Sequence, residues 1–336
     1  MKAVVYTKYG SPDVLQVKSV EKPKPKADEV LINVHAAEAT KADCEMRRFH
    51  FQVKWFWLPL RIAMGLTRPR KPILGGYFAG EVDSVGKAVS MFKPGDQIFG
   101  AARLRLGAYG QYLCLPAHYT LVPKPINIGF EEAAAVPLGG LNALHFLRKA
   151  NIRKGETVLV NGAGGSIGVF GVQIAKAMAA RVTAVDSNIK EEMLRRIGAD
   201  HFIDYSREDF ARSGQTYDVI FDMVASSSYS KCVSALNPKG RYLMANPRIV
   251  DMVRSVLTSR FTDKTAIFSF AGEKAEELLA LKNMIEAGTI KPIVDKIYPM
   301  EQAAEAHRRV ETEQRLGPVV ISMARSNKMM LDVTAL

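Results

Sequence analysis

A chain of 336 residues, 48% apolar and 24% charged, has the length for two domains and the composition of a globular protein. No apolar run approaches the ~20 residues of a membrane span, and three scattered cysteines (Cys44, Cys114, Cys232) make neither a disulfide framework nor a four-cysteine zinc module. The net charge of +12 is concentrated: Arg47 to Lys71 holds seven Lys and Arg and no acidic residue. The basic character is therefore one local feature, and no nucleic-acid partner is expected.

The first third reads as strands and turns. Lys2 to Tyr6, Val14 to Val20, Glu29 to Ala36, Tyr77 to Val85, Gln97 to Gly100 and Gly110 to Leu115 are strand candidates punctuated by Gly and Pro, which predicts an all-β unit. The N-terminus runs straight into the first of these and lacks the apolar core of a secretory signal, so a cytoplasmic, reducing setting is expected. Between them, Phe49 to Lys71 carries both tryptophans, Trp55 and Trp57, and basic residues at seven-residue spacing (Arg47, Lys54, Arg61, Arg68). Pro59 and Pro69 predict two short helices. The favoured reading is an amphipathic cover with solvated arginines outside. A wall for a large apolar or anionic substrate and a membrane-facing patch are the other two, and membrane contact is not expected.

The character changes near residue 125. Glu131 to Ala150 has helical spacing, and strands then alternate with helices. Strands are predicted at Thr157–Asn161, Arg181–Asp186, His201–Asp204, Asp218–Asp222, Gly240–Ala245 and 265–270; helices at Ser166–Met178 and Lys190–Ile197. Such alternation implies parallel crossovers and a doubly wound sheet. Ile293 to Met323 returns to strand–helix–strand and is expected to rejoin the first unit; the residues beyond read as a poorly specified tail.

Between the strand ending at Asn161 and the next helix lies Gly162-Ala-Gly-Gly-Ser-Ile-Gly168. Gly162, Gly165 and Gly168 allow a tight turn, a close approach to a pyrophosphate and close helix packing. The N–H groups at Ser166 and Ile167 would meet the phosphates. Asp186 follows 18 residues after Gly168, near the spacing of a ribose-binding carboxylate. Asp186 favours NAD, while Lys190 and Tyr205 can hold the extra phosphate of NADP, so the choice between NAD(H) and NADP(H) is open; Ser187 beside Asp186 is a further candidate cofactor contact.

The chain resembles the medium-chain dehydrogenase/reductase superfamily, in particular its quinone oxidoreductase (zeta-crystallin-like) branch. The resemblance rests on Gly10-Ser-Pro-Asp-Val-Leu15, Lys93-Pro-Gly-Asp96 with Phe99-Gly100, and Glu132-Ala-Ala-Ala-Val-Pro137 with Asn142-Ala143. It continues in the glycine loop with Val172-Gln-Ile-Ala-Lys176, Ile197-Gly-Ala-Asp200 with Ile203-Asp-Tyr205, and Tyr217-Asp-Val-Ile-Phe-Asp222. It implies an α/β fold: a GroES-like β domain (residues 1–125 and 293–336) and a Rossmann domain with a doubly wound parallel sheet (126–292). The active cleft would lie between them, and a homodimer would form through Rossmann sheet edges.

Zinc-dependent members of this superfamily use a Cys in the first segment, a Gly-His-Glu motif and a later Cys. Here Thr40 takes the first position and Gly75-Gly76-Tyr77 replaces the motif. Neither Thr, Gly nor a neutral Tyr is a zinc donor, so a metal-free reaction is expected. Without a Lewis acid, hydride transfer suits quinones and α,β-unsaturated carbonyls, which delocalise the incoming charge themselves. The alternatives are an alcohol or aldehyde dehydrogenase and a non-catalytic dinucleotide-binding protein. Catalytic candidates are Thr40 (substrate or cofactor contact, or a cap), Asp43 (an ion pair) and Tyr77 (a donor to the substrate carbonyl, or core packing). Asn142 and Phe268 are placed by the resemblance near the nicotinamide, while the lone His50 and His145 read as structural.

Overall fold

The computed structural model describes residues 1–51, 57–269 and 272–323. Lys54, Trp55, Phe56 and the tail after Met323 lie outside them. Fifteen strands are present among the described residues. They are β1 (Lys2–Val5), β2 (Gln16–Ser19), β3 (Glu29–Ala39), β4 (Tyr77–Val85), β5 (Gln97–Ala101), β6 (Tyr112–Pro116) and β7 (Thr120–Pro123). Then follow β8 (Thr157–Asn161), β9 (Arg181–Asp186), β10 (His201–Asp204), β11 (Tyr217–Asp222), β12 (Leu236–Met244), β13 (Thr265–Phe268), β14 (Lys296–Pro299) and β15 (Val319–Ser322).

Strands β8 to β13 form one parallel sheet in the order β10-β9-β8-β11-β12-β13. The order reverses at β8, which makes the C-terminal end of that strand a crevice suited to a ligand. Val158, Leu159 and Val160 of β8 are all buried, as a strand covered by helices on both faces requires. The other sheet runs β14-β15-β3-β4-β5-β7, with β6 also paired to β3, and β1–β2 form a separate hairpin. As expected, the C-terminal segment rejoins the N-terminal unit: β15 lies antiparallel to β3, with Val319 opposite Ala39.

Several boundaries differ from the sequence reading. Glu131–Ala150 is not one helix but two, Phe130–Ala134 and Pro137–Ala150, because Pro137 supplies no N–H to continue the first and opens the second. β3 runs three residues further than expected. Around Pro59 a helix does form, Trp57–Met64; the proline sits in its first turn, where no donor is lost. The expected stripe of solvated cations dissolves. Arg47 is fully buried and paired with Glu311, Arg61 stacks over the rings of Phe49 (4.2 Å) and Tyr9 (4.3 Å), and Arg68 is exposed.

One apolar cluster joins the two sheets. It contains Ala36, Ala79, Phe99, Val122 and Val320 from the first, and Leu141, Phe146, Val160 and Phe170 from the second unit. Helix Pro137–Ala150 packs on helix Ser166–Ala177 so closely that a Cβ on Gly139 would stand 2.1 Å from the Ser166 carbonyl oxygen. Gly139→Ala therefore forces the helices apart, a change worth ~1–3 kcal/mol as overpacking. A melting temperature lowered by several degrees is expected, measured by calorimetry; an unchanged one would contradict this packing.

Candidate functional site

The glycine loop closes on itself. Gly162 has φ +83°, and a Cβ on Gly168 would lie 2.3 Å from the Gly162 carbonyl oxygen, so neither position admits a side chain without movement. Gly165 caps helix Ser166–Ala177 with no side-chain acceptor, leaving the first-turn N–H groups at Ser166 and Ile167 without a side-chain cap. A Cβ on Gly165 would touch nothing nearer than 3.5 Å, so the glycine keeps open space in front of the helix. This cradle fits a pyrophosphate: uncapped donors, the positive end of a helix dipole and a backbone bare of side chains.

Asp186 and Lys190, which argue for different dinucleotides, bind each other. Their side chains pair at 2.9 Å and both are buried. Asp186 also accepts from the Gly164 N–H (2.7 Å) and the Ser187 N–H (2.8 Å). The carboxylate thus braces the glycine loop, with most of its acceptor capacity taken. Tyr205 donates its N–H to the Asp186 carbonyl at 3.3 Å, and its side chain is exposed beside the pair. The other two candidate cofactor contacts, Asn142 and Phe268, are expected near the nicotinamide and not at the loop. The Asn142 amide donates to Leu138 O in its own helix (2.9 Å). Phe268 ends the edge strand β13, with β11 and β12 between it and β8.

In the first unit, Thr40 and Asp43 form a reciprocal cap on helix Lys41–Arg48. The Thr40 hydroxyl donates to Asp43 Oδ2 (2.6 Å) and accepts from the Asp43 N–H (3.0 Å). Asp43 Oδ1 accepts from the Gly75 N–H (3.0 Å). Among the described residues no cation makes the expected ion pair with Asp43; the buried carboxylate instead anchors the segment Gly75-Gly76-Tyr77 to the helix start. Burial pushes its pKa up, against the pull of those hydrogen bonds. The Tyr77 hydroxyl donates to Glu273 Oε1 at 2.8 Å, so the side chain makes a polar contact besides its packing. Glu273 reaches it from the segment after β13, held there by Arg103, which donates to its carbonyl at 3.2 Å, and by the Thr120 hydroxyl. Burial and the neighbouring Glu273 raise the Tyr77 pKa well above that of a free phenol, and burial raises that of Glu273.

Three residues that sequence reasoning missed complete the site: Glu273, Glu38 and Arg315. Glu38 is fully buried, and neither carboxylate oxygen has a hydrogen-bond partner. Arg315, also buried, donates to the Ser166 hydroxyl at 2.8 Å, and its Nε–H is unpartnered. The one available signal was a glutamate among the small apolar residues Ala36, Ala37 and Ala39; Arg315 and Glu273 carried none.

The donors do not fit a zinc ion. The Thr40 hydroxyl is committed to a helix cap, Gly76 has no side chain and Tyr77 is bonded to Glu273. Among the described residues no group of three His, Cys, Asp or Glu is placed to hold a metal.

Residues 26–126 match the alcohol dehydrogenase GroES-like domain family and residues 197–321 the zinc-binding dehydrogenase family. The chain is 33% identical to the NADPH-dependent alkenal/one oxidoreductase, chloroplastic, of Arabidopsis thaliana, over 96% of this chain and 79% of that one. It is 30% identical to the quinone oxidoreductase of Sus scrofa, over 92% and 94%. The quinone oxidoreductase of Coxiella burnetii shares the fold, with a TM-score of 0.85 at 24% identity over 96% and 99%.

Glu38 gives a test by stability. Desolvation pushes its carboxyl up to about 8 in the folded chain, from 4.5 as its ordinary value. Between those two pH values the unfolded chain releases a proton that the folded one keeps, so stability falls as pH rises and levels off above about 8. Glu38→Gln should flatten this dependence. The melting temperature of the variant relative to wild type should climb by several degrees from pH 5 to pH 8. Parallel curves would show that Glu38 is ionised throughout.

Proposed function

Because the chain belongs to the medium-chain dehydrogenase/reductase superfamily, in its quinone oxidoreductase branch, we propose that it reduces α,β-unsaturated carbonyls and quinones with NADPH, without a metal. The observation that carries this reading is the pairing of an intact dinucleotide cradle with a lost zinc site, in which Tyr77 bonded to Glu273 stands where a ligand would be. Relatives named for alkenal/one and quinone reduction support it. The catalytic unit comprises residues 1–125 and 293–336 and the dinucleotide unit residues 126–292. Three free cysteines fit a cytoplasmic setting, and no helix among the described residues is long and apolar enough to cross a membrane.

The bound dinucleotide supplies the hydride. The protein's own residues bind, orient and protonate. The Ser166 and Ile167 N–H groups and the space left by Gly165 receive the pyrophosphate. Asp43 fixes the Gly75 backbone and so the position of Tyr77. In the free protein the single Tyr77 O–H proton is directed at Glu273; with substrate bound the hydroxyl turns to the substrate carbonyl and is the source of the proton that reduction consumes. Its raised pKa keeps it protonated at neutral pH. The apolar cluster across the seam excludes water.

The preference for NADPH follows from the Asp186–Lys190 pair. A free carboxylate would repel a 2′-phosphate, but here its charge is met by Lys190, with the exposed Tyr205 beside it. Lys190→Ala should weaken NADPH binding about tenfold or more, about 1.4 kcal/mol, and NADH binding less, in titrations followed by nucleotide fluorescence. Equal losses for both would assign Lys190 to bracing alone. An acceptor screen with 9,10-phenanthrenequinone and a panel of enones tests the activity: nucleotide binding without turnover of any acceptor would favour a binding protein.

A homodimer is proposed through the β13 edge. β13 ends its sheet, and helix Ile249–Phe261 beside it exposes Val253, Val256, Leu257 and Phe261, each more than half accessible. An unpaired strand edge flanked by such a face suits a second copy. Light scattering after gel filtration should give twice the mass of the chain, falling to the monomer mass for Val256→Glu/Phe261→Glu; a wild-type monomer would refute it.

A further inference from the structure

Glu38 is the one buried carboxyl among the described residues with both oxygens unpartnered. A carboxyl fully removed from water with no hydrogen-bond partner costs more than almost any other polar group, and apolar replacements fit such a position readily. Its placement is informative. Along β3, Ala37 and Ala39 pack into the core of the first unit, while Ala36 belongs to the cluster that bridges the two units. Alternation puts Glu38 on the bridging face with Ala36. Its partner on β15 is Val320, of the same bridging cluster. On the other side, the β3–β4 register pairs Ala36 with Ala79 and Ala37 with Phe78, so the next step sets Glu38 opposite Tyr77. Residues directly opposed across antiparallel strands point to the same face with Cβ atoms ~5 Å apart. Glu38 and Tyr77 are therefore lateral neighbours, aimed into the seam where the glycine loop and the catalytic sheet meet.

We propose that Glu38 is a proton-holding positioning residue that resupplies Tyr77 during enone reduction. This rests on the enone-reductase reading above and on Tyr77 as donor. The need for it is electrostatic. When Tyr77 gives up its proton, a phenolate is left against the Glu273 carboxylate in a dry cleft, an arrangement of like charges that the surroundings oppose. A second proton on the facing strand, on a carboxyl with no hydrogen-bond partner to hold it back, removes the problem once that side chain turns to the phenolate.

The step balances as follows. The hydride's electron pair forms the new C–H bond at the β-carbon of the enone, and the π electrons move to the carbonyl oxygen as an enolate. The Tyr77 O–H bond breaks, its proton goes to the α-carbon, and the electron pair stays on the phenolate oxygen. The Glu38 O–H proton passes to that oxygen, restoring Tyr77 and leaving a Glu38 carboxylate. Water returns the proton to Glu38 after the product leaves. The groups that face Glu38 suit this. From the segment before β15 comes Arg315, whose unpartnered Nε–H is available to the carboxylate; from the helix after the glycine loop, the Ser166 hydroxyl. Desolvation opposes ionisation most and Asp43 at the start of helix Lys41–Arg48 adds to it, while the Ser166 hydroxyl and Arg315 favour it. Tyr77 on β4 and the buried Tyr109 are the remaining titratable neighbours. The balance leaves the carboxyl with a pKa of about 8, protonated at neutral pH yet able to let go.

The test compares an enone with 9,10-phenanthrenequinone, both with NADPH, from pH 5.5 to 9.5. A quinone takes its protons on oxygen, which water supplies fast, so the ratio of enone kcat to quinone kcat isolates protonation at carbon. In wild type the ratio should fall as pH rises past about 8. In Glu38→Gln it should be about tenfold lower at pH 7, at or below the low end of general-acid effects, and should lose that alkaline limb. Arg315→Met removes the charge that stabilises the carboxylate and should move the limb to higher pH, which serves if Glu38→Gln does not fold. A wild-type ratio and limb in Glu38→Gln, or an unmoved limb in Arg315→Met, would overturn the inference and leave the enone-reductase reading standing. Failure of wild type to reduce any enone while it binds NADPH would overturn both.

Discussion

The loop from Gly162 to Gly168 is the joint on which both units depend. Its own turn requires that Gly168 carry no Cβ. Helix Pro137–Ala150 approaches it through Gly139, and the Asp186 carboxylate ties the Gly164 N–H to β9. The C-terminal segment reaches it twice, by the Gly317 N–H to the Gly164 carbonyl (3.1 Å) and by Arg315 to the Ser166 hydroxyl. A loop usually reserved for ligand phosphates is thus also the place where the two halves of the molecule are held in register. A side chain added at Gly168 would press on the Gly162 and Ala163 carbonyls and disturb the turn from which both contacts are made.

That double duty explains how the site is assembled. Tyr77 sits on β4 of one sheet and Glu273 follows β13 of the other, so their hydrogen bond exists only when the units are docked. Glu38 and Arg315 come from opposite ends of the chain and meet at the same seam. The site has few polar groups, each held by another: Asp43 by Thr40 and Gly75, Asp186 by Lys190 and Gly164, Glu273 by Arg103 and Thr120. Glu38 is the exception, with neither carboxylate oxygen hydrogen-bonded. Natural proteins retain such groups where chemistry needs a carboxyl whose proton is held and released near neutral pH.

Much of this was legible in the sequence, for identifiable reasons. The parallel sheet announced itself through fully apolar strands between amphipathic helices, and the glycine loop through spacing. The loss of zinc donors at Thr40, Gly76 and Tyr77 needed only residue chemistry. Pairings across the chain could not be read. Spacing placed Asp186 and Lys190 four residues apart and left them as rivals, because their mutual bond depends on how β9 ends against the glycine loop. Asp43 looked like half an ion pair; its true partner is a backbone N–H at Gly75, which leaves no mark in sequence. Glu273 and Arg315 lie in turns, where one charged residue looks like any other. The basic stripe from Arg47 was misleading for a related reason: seven-residue spacing implies one face only if the helix continues, and here it does not.

The position of β15 has a consequence for how the chain matures. Val319 pairs with Ala39 across almost the whole length of the polypeptide, and β3 is the central strand onto which the first sheet assembles. On a ribosome, the N-terminal sheet must wait with one edge of β3 open until the last strand emerges, while β8 to β13, local in sequence, can form their sheet earlier. The unit made first is therefore completed last. During synthesis the glycine-loop unit can act as the template against which the catalytic sheet closes, and truncations near the C-terminus should damage the fold of its beginning.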